Sequence, residues 1–309
     1  MAYQIGNIIR ASDYNAFVNQ VSDIYGVGNG DRGYGETAIP LSTVNAGDVI
    51  ASTEWTNLRN AIEVCAQHQG TPIPDLPPTG ELATDEIVEA HESSSPTNNP
   101  FDFNSFVNAI DNNRFNIDGG ASASLISGVQ SHSRGSSWSA TIDTVQRAEW
   151  PTEDDARFFF NSGGFIRVSF DHPNGSSPQD DNWRQVFNDI GVVTFTSTTT
   201  NVSGTSGTSN NIGFYDLTSS FQRIYDGTDV GSGAYSANDV LVDARSINIS
   251  GVNGGNGTGV ELRITFQDQH TNVFSDSVAS GTSVIIDELK ADVILNNISS
   301  PTYSTQDTF

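Results

Sequence analysis

The side chains in this sequence that could best perform catalysis or bind a metal ion are carboxylates and an amide between positions 153 and 181. They are Glu153, Asp154, Asp155, Asp171, Asn174, Asp180 and Asp181. Oxygen ligands on loops of this kind bind hard cations such as Ca²⁺, and two carboxylates at a suitable separation cleave glycosidic bonds. The spacing matches no EF-hand loop and identifies no acid and nucleophile. A solvated acidic loop is the simpler interpretation, so we assign no catalytic residue and no metal ligand.

Histidine and cysteine give no stronger signal. The histidines are His68, His91, His132, His172 and His270. No two have the H-x-x-x-H spacing typical of zinc sites, and no G-x-S-x-G elbow is present. The single cysteine, Cys65, excludes an internal disulfide, and its place on the apolar side of a predicted helix indicates a small buried residue. We therefore expect no cofactor and no enzymatic activity.

A glycine-rich segment runs from Gly26 to Gly35 and contains Gly-x-Gly at Gly26 and Gly28. A phosphate-binding loop needs a strand before it and a helix directly after it. Neither is predicted here. We interpret the segment as a turn or as a loop that lies against a neighbouring subunit.

Two apolar runs, Arg157 to Phe160 and Phe165 to Phe170, flank the turn sequence Asn161 to Gly164. This pattern predicts a β-hairpin, because glycine supplies the positive φ that tight turns require. Rings on both faces of the first strand, Phe158 to Phe160, would suit burial by a sandwich partner and by a subunit contact. A surface patch for sugar stacking is the alternative.

One short unit is repeated in the first third of the chain. Ile5 to Val21 and Ala46 to Ile62 align at a constant offset (47 − 6 = 41), and a weaker third copy begins at Phe103. Each copy predicts a turn followed by a helix, with Ser12 and Thr53 as the capping residues. Repetition of a supersecondary unit favours an assembly role over catalysis.

Each predicted helix carries one apolar stripe at i, i+3, i+4 and i+7. In the first and third copies these are Tyr14, Phe17, Val18 and Val21, and Phe103, Phe106, Val107 and Ile110; the second has Trp55, Leu58 and Ile62, interrupted by Arg59. Helices this short are marginal alone in water. They must pack on each other, on the rest of the chain or on a partner subunit.

Composition limits the partners. The chain has 309 residues with 13 Lys+Arg against 37 Asp+Glu, a net charge of −24. Such acidity disfavours nucleic acid and anionic membranes. The N-terminus lacks a signal-peptide pattern, and no apolar run approaches the length of a bilayer crossing. We expect a soluble product that an ordinary signal does not export.

The remainder predicts a connector and a β-rich region. Residues 71–100 are acidic and proline-rich, typical of a linker or arm, with a short helix predicted over Thr84 to Glu92. Asn182 to Ile190 predicts one further helix. Strands are predicted at Ser137 to Trp150, Val192 to Thr199, Gly213 to Leu217, Val240 to Ile249, Val260 to Gln267 and Ser283 to Leu295.

We therefore predict an α+β chain in three parts. Residues 1–70 form a helical anchoring region with the duplicated turn-helix unit, residues 71–100 a linker or arm, and residues 101–309 an antiparallel β-domain with a leading helix. The many short strands and their Gly/Ser/Thr/Asn loops favour a sandwich that is jelly-roll-like.

Several segments together resemble virion structural proteins of tailed bacteriophages, especially those of marine and cyanobacterial phages. They are FFFNSGGFIRVSF, GVVTFTSTTT, YSANDVLVDARSINISGVNGGNGTGVELRITFQD, IYGVGNGDRGYG and WTNLRN. The resemblance covers the first seventy residues and roughly Arg157 to Asp268. It implies a particle component in the tail, baseplate or neck, with other virion proteins and copies of itself as partners, commonly as a homotrimer.

From this resemblance we expect a fibre or adaptor protein localised in the virion. Its helices would anchor it by burying their apolar stripes against a subunit or the particle, with the β-domain outward. Two alternatives stay open: a capsid decoration protein, and a module that binds a host surface glycan, with or without hydrolase activity.

Overall fold

The computed structural model describes residues 10–74, 76–77, 103–120, 122–270, 277–295, 297–307 and 309. Its helices are α1 (Ala11–Tyr25), α2 (Ser52–Gln69), α3 (Phe103–Asn112), α4 (Glu153–Asn161) and α5 (Pro178–Ile190). Its strands are β1 (Ala123–Ser133), β2 (Thr141–Glu149), β3 (Phe165–Asp171), β4 (Val193–Phe195), β5 (Thr200–Val202), β6 (Thr208–Ser209), β7 (Gln222–Gly227), β8 (Asp239–Ile247), β9 (Gly259–Gln267), β10 (Ser283–Ala291) and β11 (Thr302–Thr305). The predicted helix from Thr84 to Glu92 lies outside the described residues.

The chain divides into two compact units. The first comprises Met1–Ser124, Arg157–Gly163 and Ala291–Ile298, and the second comprises Leu125–Ala156, Gly164–Lys290 and Ser299–Phe309. In this division α3 belongs with α1 and α2, whereas the sequence pattern placed it at the head of the β-domain. Two later segments, Arg157–Gly163 and Ala291–Ile298, also belong to the first unit. Their side chains contribute to its core and contact its loops.

The three repeated helices pack on one another in pairs. The aromatic residues that the repeat aligns, Tyr14, Trp55 and Phe103, meet: the ring centroids of Tyr14 and Trp55 are 5.0 Å apart, as are those of Trp55 and Phe103. The N-terminal turns of the three helices therefore converge. Residues equivalent in sequence occupy equivalent places in one core.

The helices begin differently from the predicted caps at Ser12 and Thr53, which lie inside α1 and α2. Asp13 Oδ2 instead accepts a hydrogen bond from the Arg10 backbone N–H at 3.1 Å, and Glu54 accepts one from the Ala51 N–H in the same way. An acidic side chain in the first helical turn thus satisfies a free amide and also meets the positive end of the helix dipole.

The apolar stripes of all three helices are buried inside the first unit. The buried residues are Tyr14, Phe17, Val18, Val21, Trp55, Leu58, Ile62, Phe103, Phe106, Val107 and Ile110. Arg59, which interrupts the second stripe, is buried as well; it pairs with Glu63 and donates to the Pro77 carbonyl oxygen at 2.6 Å. The hypothesis that these stripes dock on a partner is wrong, because the chain itself already covers them.

The predicted hairpin from Arg157 to Phe170 is wrong in its first half. Residues 153–161 form α4, and only Phe165–Asp171 is a strand. The Thr152 hydroxyl accepts a hydrogen bond from the Asp155 N–H at 3.1 Å, and three acidic residues fill the first turn, which favours a helix start. Asn161 to Gly164 therefore ends a helix.

Phe159 and Phe160, predicted on opposite faces of a strand, are buried in the helical arrangement. Their rings meet edge to face with centroids 5.1 Å apart. The core assignment for these rings is confirmed, whereas the strand is not.

Replacing Phe159 with serine is expected to destabilise the first unit by about 3–5 kcal/mol, because a buried ring is lost and a hydroxyl is left in an apolar site. Chemical denaturation followed by circular dichroism measures this. Val49→Ser is the control, since Val49 is 87 % exposed in the same unit. Equal stability of the two variants would refute the core role of Phe159.

The second unit contains two antiparallel sheets, which confirms the predicted fold class. One sheet has the order β1-β10-β3-β4-β5 and the other β11-β2-β9-β8-β7-β6. The predicted pairing of the two long strands is confirmed, with Val242 opposite Ile264 and Val240 opposite Phe266. The predicted strand from Gly213 to Leu217 is wrong, because Phe214–Asp216 forms a 3₁₀ turn.

An aromatic core joins the two sheets and α5. Phe170 on β3 meets Phe266 on β9 with ring centroids 5.5 Å apart, and Phe187 on α5 lies 5.6 and 5.3 Å from these two rings. Trp183 on α5 is fully buried beside Trp138, at 5.0 Å. The predicted apolar face of this helix thus packs inside the β-rich unit.

Candidate functional site

The structure brings three residues of the second unit into a hydrogen-bonded line that resembles a nucleophile, base and acid. His172 follows β3, Asp180 lies in the first turn of α5 and Thr282 precedes β10. The Thr282 hydroxyl oxygen lies 3.1 Å from His172 Nδ1, and His172 Nε2 lies 3.0 Å from Asp180 Oδ1. Sequence inspection missed this site because Thr282 lies about a hundred positions from His172 and Asp180, and the three residues belong to no motif.

The hydrogen-bonding partners determine where the protons lie. Trp138 Nε1–H donates to the Thr282 hydroxyl oxygen at 2.9 Å. With the Asp180 carboxylate ionised, His172 Nε2–H donates to it, so His172 Nδ1 accepts from the Thr282 hydroxyl. Every group in the line from Trp138 to Asp180 then has a hydrogen-bond partner.

Asp180 connects three segments of the chain. Its Oδ1 accepts from the Ala279 N–H at 2.8 Å as well as from His172, and its Oδ2 accepts from the Ser177 N–H at 3.0 Å and hydroxyl at 2.8 Å. Burial alone would raise its pKa, but these donors outweigh burial and lower the pKa to about 2. The carboxylate is therefore ionised at neutral pH, where it holds these three segments together.

Burial decides what this line of residues does. Thr282 and His172 are fully buried and Asp180 is 3 % exposed. A nucleophile acting on an external substrate must be reachable, whereas a buried and fully satisfied polar network rigidifies the fold. The arrangement fastens the end of β3, the start of α5 and the turn before β10 to each other.

Glu153, from the predicted acidic run, is a second brace. It is 5 % exposed and accepts hydrogen bonds from the Gly251, Val252 and Gly257 backbone N–H groups at 3.1, 3.0 and 2.7 Å. The Ser250 hydroxyl also donates to it. Burial by itself would raise its pKa, but these donors lower the pKa to about 2. One carboxylate thus fixes the β8–β9 loop.

The other predicted carboxylates have separate partners. Asp154 accepts from Asn253 Nδ2 at 2.9 Å, Asp155 accepts from the Thr152 hydroxyl at 2.5 Å, and Asp181 pairs with Arg184. Among the described residues no group of three or more His, Cys, Asp or Glu side chains is placed to hold a metal ion. The acidic residues that cluster in the sequence therefore bind different partners.

The backbone carbonyl oxygens of the glycine-rich loop from Gly26 to Gly35 point toward the guanidinium group of Arg157. Buried Arg157 donates to the Val27, Gly30 and Arg32 carbonyl oxygens at 3.0, 2.9 and 3.0 Å. A phosphate cradle needs backbone N–H groups pointing inward, which is the opposite polarity. The loop is a turn, as predicted, but its observed contact is with α4 of its own chain.

Each described histidine outside this line has a different partner. His68 is fully buried and its Nε2–H donates to the Ser162 carbonyl oxygen at 2.8 Å; burial lowers its pKa to about 4, so it is neutral at ordinary pH. His132 stacks on Phe309 with ring centroids 5.0 Å apart. His270 Nδ1 lies 2.9 Å from the Ala234 carbonyl oxygen, and His91 lies outside the described residues. The predicted burial of Cys65 is confirmed.

The solvent side of the six-stranded sheet carries an ordered array of charges that we call the arginine lattice: Arg147, Arg223, Asp243, Arg245, Glu261 and Arg263. Glu261 accepts from Arg147 Nε at 2.9 Å and from Arg245 Nε at 2.7 Å. Asp243 accepts from Arg223 Nε at 2.7 Å and from Arg263 Nη2 at 2.8 Å. The guanidinium carbons of Arg245 and Arg263 both lie 4.5 Å from the centre of the Phe221 ring.

Strand register produces this lattice. Arg147 and Arg245 lie directly opposite Glu261 on the strands either side of it, and Arg223 and Arg263 lie directly opposite Asp243. Cross-strand neighbours of opposite charge stabilise a sheet. The signal was present in the alternation of Asp243, Arg245, Glu261 and Arg263, but it becomes visible only once the pairing of β8 with β9 is fixed.

Comparison of the chain with protein-family models, with characterised proteins and with solved structures gave no match. Within the residues that the structure describes, none of the helices combines the length and the apolar character that a membrane span requires.

Proposed function

We propose that the chain is a structural component of a tailed-phage virion, a fibre or adaptor protein of the tail, baseplate or neck that acts through subunit assembly. The resemblance of its sequence segments to such proteins motivates the proposal. The geometry of its buried polar groups supports it independently.

One observation carries the argument: the most strongly perturbed carboxylates of the second unit are used to hold loops. Glu153 gathers donors from Ser250, Gly251, Val252 and Gly257, and Asp180 gathers donors from three separate segments. Catalytic carboxylates need room for a substrate beside them. Here hydrogen-bond donors of the chain itself occupy the carboxylate oxygens of Glu153 and Asp180. This is expected of a protein with a structural role.

Attachment must use exposed surface, because the helix stripes are covered within the first unit. The arginine lattice and the strand edges of the second unit are surfaces that could contact other virion proteins. Assembly through such pre-ordered surfaces costs less conformational entropy than docking of mobile segments.

The proposal is tested on intact particles of the phage that encodes the chain. Purified particles are digested for mass spectrometry and labelled with antibody raised against the recombinant protein. We expect the chain to be present in the particle and the label to lie at the tail, baseplate or neck. Absence of the chain from purified particles would refute a virion role, and label spread over the head would identify the decoration-protein alternative.

A parallel incubation with host surface polysaccharide separates the glycan alternatives. A structural component neither retains the glycan nor releases reducing ends. Retention without cleavage would indicate a lectin, and release of reducing ends would indicate a hydrolase. Either result would replace the purely structural role.

A further inference from the structure

Four asparagines of the chain are followed directly by glycine: Asn29, Asn174, Asn253 and Asn256. In such a pair the backbone nitrogen of the glycine can attack the asparagine side-chain amide, because glycine has no side chain to crowd the approach. The result is deamidation of the asparagine. Since the four pairs share the same local chemistry, the fold decides which of them reacts.

The reaction proceeds in two steps. The glycine N–H loses its proton to solvent, the nitrogen forms a bond to the asparagine Cγ, and the Cγ–Nδ2 bond breaks as ammonia leaves. Water then opens the cyclic succinimide at either carbonyl, which yields aspartate or isoaspartate. Hydrogen bonds to the glycine N–H or to the side-chain amide must break before the ring can close, so they slow the reaction.

The Asn253 pair is held at both reacting groups. The Gly254 N–H donates to the Gly251 carbonyl oxygen at 3.1 Å. The Asn253 side chain donates through Nδ2 to the Asp154 carboxylate at 2.9 Å. Although this pair is exposed at the tip of the β8–β9 loop, both its nucleophile and its target are engaged.

The Asn256 pair is held more tightly still. The Gly257 N–H donates to the buried Glu153 carboxylate at 2.7 Å. The Asn256 side chain donates through Nδ2 to the Leu217 carbonyl oxygen at 2.9 Å. Its reacting nitrogen therefore belongs to the set of amides that Glu153 fixes.

The Asn29 pair lies in the glycine-rich loop of the first unit. The Asn29 carbonyl oxygen accepts from the Arg32 N–H at 3.3 Å. The Gly30 carbonyl oxygen accepts from Arg157 Nη1 at 2.9 Å and from Asn161 Nδ2 at 3.1 Å. These bonds on both sides of the pair hold the turn against the backbone rotation that ring closure requires.

The Asn174 pair differs from the other three. Asn174 and Gly175 are both exposed between β3 and α5, and among the described residues neither the Asn174 side-chain amide nor the Gly175 N–H has a hydrogen-bond partner. The carbonyl oxygen of the peptide that joins them accepts from Arg184 Nη1 at 3.0 Å. When the Gly175 nitrogen loses its proton, negative charge spreads onto this oxygen, where a guanidinium stabilises it.

We infer that the chain deamidates at Asn174 and that Arg184 promotes the reaction by stabilising the ionised peptide between Asn174 and Gly175. Isoaspartate at this position lengthens the backbone between His172 and Asp180 by a methylene group. The Gly175 backbone lies against the Asp180 carboxylate, so the lengthened loop disturbs the buried network. This modification is independent of the proposed virion role.

Peptide mapping by mass spectrometry tests the choice of site. The folded protein and the protein unfolded in urea are incubated side by side, and the four asparagine–glycine peptides are compared. In the folded protein we expect Asn174 to be converted about tenfold faster, or more, than Asn29, Asn253 or Asn256. In urea the four should react at similar rates, because only local sequence then acts. A rate at Asn174 no higher than at the other three in the folded protein would overturn the inference.

Variants of Arg184 test its part in the reaction. Arg184→Gln is expected to slow the conversion of Asn174 about three- to tenfold, whereas Arg184→Lys, which keeps the positive charge, should retain most of the rate. The rate at Asn253 in the same samples is the internal control, and circular dichroism checks that the variants fold. An unchanged rate in Arg184→Gln would refute promotion by the guanidinium. A faster rate would refute it as well, because it would show that Arg184 restrains the loop.

Discussion

Replacing Asp180 with alanine is expected to lower the free energy of unfolding of the second unit by about 3–5 kcal/mol, since it leaves several buried donors without an acceptor. His172, Ser177 and the Ala279 N–H all lose their partner. Urea denaturation followed by tryptophan fluorescence measures the loss, because Trp138 donates to Thr282 in the same network. A Trp55→Phe background removes the signal of the first unit.

The neighbouring residue supplies the control. Asp181 carries the same side chain one position later, but it is 70 % exposed, and its ion pair is with Arg184. Asp181→Ala is expected to cost about 0–1 kcal/mol, as is usual for an exposed ion pair. If the two variants were equally stable, the buried network would not hold this part of the fold together.

The network also predicts a pH dependence. The pKa of Asp180 is lowered from 3.8 to about 2 in the folded protein, so the ionised form is favoured by folding. Its contribution to stability is complete above pH about 4 and is lost as the pH falls toward 2. The Asp180→Ala variant should lack this part of the acid transition, which a comparison of denaturation midpoints at pH 5 and pH 3 would reveal.

Replacing Glu153 with glutamine is expected to lower the free energy of unfolding of the second unit by about 2–4 kcal/mol. The glutamine keeps one oxygen, but its NH₂ group meets N–H donors that now lack an acceptor. Limited proteolysis between Asn248 and Thr258 is expected to become faster, and urea denaturation should show the loss of stability. The pKa of Glu153 is lowered from 4.5 to about 2, so this contribution too disappears as the pH falls from about 4.5 to 2.

Asp154→Asn is the matched control for Glu153→Gln. Asp154 is the next residue in α4 and also reaches the β8–β9 loop, through an exposed contact with the Asn253 side-chain amide. We expect its effect to stay within about 0.5 kcal/mol. Unchanged proteolysis in the Glu153→Gln variant would show that the loop keeps its conformation without the carboxylate.

Periodicity predicted the parts of the fold that depend on local pattern. The stripes of α1, α2, α3 and α5 are buried, as a 3.6-residue spacing of apolar residues requires, and the pairing of β8 with β9 follows from their alternation and the glycine-rich loop between them. The failure at Arg157 to Phe160 has a physical cause. Three consecutive phenylalanines fit a strand buried on both faces, but the capping and acidic residues before them favour a helix.

The candidate site could not be predicted because its residues interact only through the tertiary fold. In the sequence Asp180 belongs to an acidic pair and His172 is an isolated histidine, and nothing local joins either of them to Thr282. Glu153 was assigned to a solvated loop, because a carboxylate that accepts backbone N–H groups has the same sequence pattern as an exposed one. Residues that bind backbone leave no complementary side chain to recognise.

Tyr14, Trp55 and Phe103 of the three repeated helices converge in one core within a single polypeptide. Because the three copies of the repeat belong to one chain, their sequences can differ. Val18 and Val107 occupy the position that Arg59 occupies in the second copy. In a symmetric trimer an arginine there would bring three buried charges to one core, at a large cost in desolvation. Within one chain a single copy carries it, paired with Glu63. Three copies of a helix in one chain can therefore carry different residues at a core position where identical subunits would all carry the same one.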